Sequence, residues 1–171
     1  MAEKKDRKIL ERLQSDNIKI VKDTIDEISK KDEIKYLDDI FGLYYTDQDL
    51  EIKKSILELI KYMKSSGTTS QIIGLINSMN STEDMNMLIA ACWQSTLDFS
   101  HYLHDFVNYI INGDYETILE SFTVIENSVK QIDTETADKE IERLKAHMHQ
   151  SGQDKKNLIV EIIKLLELEK T

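Results

Sequence analysis

Apolar residues recur at spacings of three and four along almost the whole chain, and no stretch alternates with period two. The pattern predicts an all-α protein. Breaks in it fall at Ser15-Asp16, Lys30-Lys31-Asp32, Thr46-Asp47, Ser65-Ser66-Gly67, Ser81-Thr82, Ser100, Gly113-Asp114, Asp133-Thr134 and Ser151-Gly152. Each break offers a short polar side chain that can cap a helix start, or a glycine that can end one. The segments between them predict about ten helices, most of roughly 10–15 residues, with connections short enough to make neighbours antiparallel.

The predicted helices repeat in pairs. The second helix of each pair opens on a polar cap followed by an apolar stripe: Asn17-Ile18-Lys19-Ile20-Val21, Asp49-Leu50-Glu51-Ile52-Lys53, Asp84-Met85-Asn86-Met87-Leu88 and Asp114-Tyr115-Glu116-Thr117-Ile118. First helices line up as well, through Ile9, Leu10 and Leu13, then Ile34, Leu37 and Ile40, then Ile72, Ile73 and Ile76, then Leu103, Phe106 and Ile110. One such pair cannot bury its stripe alone, so four pairs stacked in series would share a continuous core.

In this arrangement the chain resembles the HEAT-repeat family. The clearest match is Asp49-Leu-Glu-Ile-Lys-Lys-Ser-Ile-Leu-Glu-Leu-Ile60, which looks like that family's second helix: an acidic residue, a basic residue a few positions on, then an aliphatic ridge. The basic position is Val21, Leu88 and Ile118 in the other copies, and the chain has no proline. The run ACWQSTLDFS from Ala91, followed by ESFTVIENS from Glu120, is similar to one in bacterial HEAT-like proteins. The resemblance covers residues 7–128. It implies a right-handed α-α superhelix, a HEAT-like solenoid of helix pairs, and no particular activity. Residues 133–169 read as two further helices, a polar one from Glu135 to His147 and an apolar one through Leu158, Ile159, Ile162, Ile163, Leu165 and Leu166. They fit a C-terminal capping pair on a single domain of residues 1–171, or a helix that joins two copies of the chain.

Composition narrows the classes of function. The chain has 171 residues, 22 basic and 32 acidic, and a formal net charge of −10. There are 14 basic and 15 acidic residues in 1–64, none and 8 in 65–129, and 8 and 9 in 130–171. A middle third without Lys or Arg repels phosphate backbones, so nucleic acid is not expected as a partner; a protein with a basic contact surface is. No run of about 18 uncharged apolar residues is present, and the N-terminal MAEKKDRKILERLQ has no apolar signal core, so no membrane span is expected and the cytoplasm is the expected address. The lone Cys92, in the apolar run LIAACW, reads as a small buried hydrophobe in a reducing compartment.

The segment from Met85 to Trp93 is the least amphipathic of all, so it is either central or in contact with a partner. Ile89 and Trp93, four apart, share one side, in the register of Lys54 and Glu58 one pair earlier. With Leu119, and with Glu116, Glu120 and Glu126 as a rim, they make an aromatic anchor inside a charged border, the pattern of a protein-binding hot spot. The same residues also fit a plain core filled by Trp93.

Other chemistry is sparse. Asp98, His101, His104 and Asp105 could supply metal ligands, but the spacing is weakly specific and also fits a solvated stripe opposite Leu103, Phe106, Val107 and Ile110. His147 and His149 are two apart and point to different sides of a helix. Phosphate-cradling glycine loops, nucleophile elbows, paired Glu-x-x-His motifs and CxxC are all missing, and the five glycines stand apart. The sequence therefore predicts a non-catalytic scaffold or adaptor with no cofactor and no metal, binding protein through Ile89, Trp93, Leu119, Glu116 and Glu120. A small enzyme or metal protein using the Asp98 to Asp105 stripe, and a homo-oligomer through the last helix, are the alternatives.

Overall fold

A computed structural model describes residues 5–46, 49–149 and 151–169. Within them the chain is helical, with no strand. The helices are α1 (Arg7–Leu13), α2 (Ile18–Lys31), α3 (Leu37–Thr46), α4 (Leu50–Tyr62), α5 (Thr68–Asn77), α6 (Thr82–Gln94), α7 (Leu103–Asn112), α8 (Tyr115–Ser128), α9 (Thr134–Met148) and α10 (Gln153–Glu169). Short 3-10 turns at Ile34–Tyr36 and Ser100–Tyr102 lead into α3 and α7, and a third, Val129–Gln131, follows α8. None of the helices is long and apolar enough to cross a membrane.

Asp or Asn side chains cap five of the helices, two of them, Asp114 and Asp133, at predicted breaks. Asp6, Asn17 and Asp49 each accept the backbone N–H two residues on, at the starts of α1, α2 and α4. Asp114 and Asp133 accept the N–H three residues on, at the starts of α8 and α9. Each satisfies an amide that the helix leaves without a partner. Asp47, half of the expected Thr46-Asp47 break, lies outside the described residues.

The chain divides into two compact units, residues 1–78 with 94–97, and residues 79–93 with 98–171. In the first, α1 packs on α2 and α3 on α4, while α2 lies against α4 and α3 against α5. Polar contacts fix the directions. Lys22 reaches Glu51 and the Lys64 N–H reaches Asp32, so α2 and α4 run the same way. Asp38 accepts from Gln71 and Tyr45 meets Ser78, so α3 and α5 do too. The core is aliphatic with two buried tyrosines: Val21, Ile25 and Ile28 of α2, Leu37, Ile40 and Tyr44 of α3, and Ile52, Ile56 and Leu59 of α4, with Tyr36 below. Lys31 and Arg12 hold the Glu27 carboxyl down at about 2.

The second unit repeats this arrangement. α7 packs on α8 and α9 on α10, with α7 beside α9 and α8 beside α10. His104 lies at Glu140 and Asn108 at Arg143, so α7 and α9 share a direction. The start of α10 is fixed at the α7–α8 turn, where Lys155 Nζ donates to the carbonyls of Ile111, 2.6 Å away, and Gly113, 3.3 Å away. Removal from water holds that ammonium below its ordinary range. Of the apolar residues predicted in the last helix, Ile159, Ile162, Ile163 and Leu166 are buried and Leu158 and Leu165 half-buried, so its stripe is largely used inside the unit. In both units, contacts tying corresponding helices of successive pairs join residues 27 to 39 apart.

Two backbone positions constrain the sequence. Asp32, at the C-cap of α2, has φ 52°, the left-handed region, and its Oδ1 accepts the Lys64 N–H at 3.1 Å. Asn tolerates that conformation equally, keeps the acceptor and removes a negative charge from the carbonyl end of the helix, so Asp32→Asn is expected to raise stability by about 0.5 kcal/mol in urea unfolding. At Gly113 the constraint is space: an added Cβ would stand 2.5 Å from both the Tyr109 carbonyl oxygen and the Thr117 methyl. Gly113→Ala is therefore expected to cost about 1–3 kcal/mol by the same measurement, because a backbone atom must move to admit it.

Candidate functional site

α6 and α8 form the predicted surface, and both belong to the second unit up to Trp93. α6 begins at Thr82, where the Ser81 hydroxyl accepts the Asp84 N–H at 3.3 Å, and Glu83 and Asp84 favour the amide end of the helix. α8 begins at Tyr115, capped by Asp114. The Thr117 backbone N–H and hydroxyl both reach that carboxylate, at 2.9 and 2.8 Å, and hold its pKa below the ordinary range.

Two polar links tie α6 to α8. At one end the buried Thr117 hydroxyl lies 2.7 Å from Oδ1 of the buried Asn86. At the other the Trp93 indole N–H donates to Glu120, and Asn127 Nδ2 donates to the Trp93 carbonyl at 3.1 Å. Trp93 is half-buried, with its ring edge tied to a carboxylate. An amphipathic ring with its N–H satisfied is held in one orientation, as an anchor must be.

Four of the five residues expected at this surface reach it. Glu116 is exposed, Leu119 is 37% exposed, and Glu120 and Trp93 are half-buried and joined. Ile89 is a correction. It is 0% exposed and belongs to the core together with Leu88, Ala91 and Cys92. The outward stripe of α6 is instead Glu83, Met87, Ala90 and Gln94, with Trp93 at its edge. The expected register fails at Ile89, which is buried where Lys54 of α4 is exposed, while Trp93 stays half-buried. The cause is that α6 is apolar nearly all round, so its sequence marks no preferred side.

Sequence reasoning missed Tyr115 and Phe122. Tyr115 is 59% exposed, and Phe122 is half-buried. With Leu119 they recur at i, i+4 and i+7 along α8, a signal that the spacing alone carried. The outer arc of α8 thus has two strips. Glu116, Glu120 and Asn127 lie on the side of α6, where the latter two meet Trp93, and the apolar strip Tyr115, Leu119 and Phe122 runs beside them.

The Asp98 to Asp105 stripe does not converge. Asp98 caps the following turn, accepting the Ser100 N–H at 2.8 Å, and His101 is exposed. His104, although exposed, and half-buried Asn108 reach side chains of α9. His104 Nδ1 is 3.0 Å from Glu140 Oε1 and 2.9 Å from Arg143 Nη1, and Arg143 also donates to Glu140 and Asn108. One ring nitrogen cannot serve both neighbours in one tautomer: it donates to Glu140 as N–H or accepts from Arg143 as a lone pair. Among the described residues no group of three or more His, Cys, Asp or Glu is set to hold a metal ion. Burial pushes the Cys92 thiol well above its ordinary range, leaving it protonated at neutral pH.

A cavity of about 330 Å³ lies between α2 and α4, where Glu51 pairs with both Lys22 and Lys54. Another of about 480 Å³ is lined by Met85, Asn108, Tyr109, Asn112 and Asp114 among others. No protein-family model, curated protein or solved structure matches this chain.

Glu140 is 2% exposed and depends on Arg143 for compensation. Arg143→Ala is expected to destabilise the protein by about 3 kcal/mol in urea unfolding, because it strips a buried carboxylate of its main partner. Glu140→Leu placed in the same chain is expected to recover most of that loss, since an apolar side chain there needs no partner.

Proposed function

We propose that this protein is a non-catalytic scaffold or adaptor built of HEAT-like helix pairs, and that the α6–α8 surface of its second unit binds a protein partner. The fold part of this reading is supported inside each unit by like helices running in one direction, one pair apart. Repetition of that offset is how a right-handed α-α superhelix of the HEAT kind grows. The binding part is carried by one observation: a half-buried tryptophan fixed to Glu120, on a surface whose sequence holds no Lys or Arg between residues 65 and 129. A fixed aromatic ring beside carboxylates suits a partner that is apolar at its centre and basic around it. Phosphate backbones are disfavoured by the same charges. A cytoplasmic location goes with this reading, with Cys92 the lone cysteine and buried.

The test is affinity capture on the full-length chain from its native lysate at low and high salt, followed by mass spectrometry, with Trp93→Ala alongside. A specific partner is expected at low salt, weakened as salt rises and reduced about 30-fold in affinity by Trp93→Ala, the size of a hot-spot residue. The melting temperature of the variant is measured in parallel. Unfolding of Trp93→Ala would show the ring to be core, and unchanged capture by a folded variant would remove the site.

A further inference from the structure

We infer that the partner element received here is an amphipathic basic helix, seated on the strip Tyr115, Leu119 and Phe122 of α8. This rests on the protein-binding reading above and names the chemistry of the occupant.

Three observations carry it. The first is the geometry of the strip. Residues at i, i+4 and i+7 make a ridge about 10 Å long on a helix surface, and such a ridge fits the groove between rows of side chains on another helix. The ridge is open, with Tyr115 59% and Leu119 37% exposed. A peptide added as a β-strand would need a free sheet edge, and the described residues form none.

The second is the border. Glu116 and Glu120 flank the ridge along the α6 side, exposed Glu126 continues it one turn on, and Asp114 stands at its start.

The third is how charge is compensated. In the first unit several carboxylates are matched within the fold, Asp26 by Lys30, Glu27 by Arg12 and Lys31, Glu51 by Lys22 and Lys54, and Glu58 by Lys61, while exposed Asp16 and Asp23 have no ion pair among the described residues. Around the α8 ridge, Glu116 and Glu126 form no ion pair among the described residues, and Glu120 is met by a neutral indole. No Lys or Arg lies between residues 65 and 129 to match them, so a basic partner would meet carboxylates that the fold leaves free of ion pairs. Lysines or arginines flanking the apolar seam of an incoming helix would supply the positive complement at the distance where these carboxylates stand, and would speed its encounter.

The test uses the full-length chain and three fluorescein-labelled 18-residue peptides, followed by anisotropy: a Lys/Leu peptide with leucines on one helical face, its scrambled isomer, and the same pattern with Glu for Lys. The patterned Lys/Leu peptide is expected to bind at least tenfold more tightly than either control, to gain helical circular dichroism on binding, and to weaken at least fivefold from 50 to 300 mM salt. Tyr115→Ser with Leu119→Ser, and separately Glu116→Lys with Glu126→Lys, are each expected to weaken it tenfold or more with little change in melting temperature. Equal binding of the scrambled peptide, or undiminished binding to both folded variants, would overturn the inference. If a natural partner is lost by Trp93→Ala yet is not displaced by the patterned peptide, the helix inference fails while the protein-binding reading stands. If the patterned peptide binds the ridge and no natural partner depends on Trp93, the reverse holds.

Discussion

A helix of 10 to 15 residues with one apolar stripe is not stable in water by itself, and covering that stripe governs the arrangement of each unit. The antiparallel neighbour covers part of it, and the corresponding helix of the next pair covers the rest. That second contact sets the register: Lys22 meets Glu51, Asp38 meets Gln71, Asn86 meets Thr117, and His104 meets Glu140, each roughly one pair away. Close approach at Gly113 and the left-handed turn at Asp32 follow from the need to reverse the chain in two or three residues between helices that must stay in contact.

α6 shows what happens when the stripe has no edges. With Leu88, Ile89, Ala91 and Cys92 all buried, the helix is used on more than one side, and Glu83, Met87, Ala90 and Gln94 make its outward stripe with Trp93 at the edge. Orientation of such a helix is set by its neighbours. Two polar residues do the orienting: Asn86, buried against Thr117, and Trp93, whose indole must find an acceptor and finds Glu120. A buried polar group without a partner costs more than an apolar contact gains, so these two bonds fix the rotation that α6 takes against α8.

The charge distribution then separates folding from recognition. Several carboxylates of the first unit are used in ion pairs within it, Glu140 of the second is enclosed with Arg143, and Glu120 holds the Trp93 indole. Glu116 and Glu126 on the exposed arc of α8 form no ion pair among the described residues, and they stand beside the apolar ridge that the fold leaves open. Surface ion pairs contribute little to stability, so leaving these carboxylates unmatched costs the fold little.

By itself the sequence determined the helical class, the caps Asn17, Asp49, Asp114 and Asp133, the packing of α1 on α2, α3 on α4, α7 on α8 and α9 on α10, and the absence of cations from residues 65–129, because spacing, cap chemistry and composition are local properties; Asp84, expected to open α6, lies inside it, and α5 and α6 fall in different units. It also placed Glu116, Leu119 and Glu120 outward, since α8 alternates polar and apolar residues cleanly enough to define a face. Only the tertiary structure decided that Ile89 is core, that Trp93 stands at the edge of its stripe with its N–H on Glu120, that His104 serves Glu140 and Arg143, and that Tyr115 and Phe122 extend the open ridge. The Trp93 and His104 contacts each depend on a residue 27 to 39 positions away. A uniformly apolar helix, or a histidine on a polar stripe, has no orientation until that distant partner is in place.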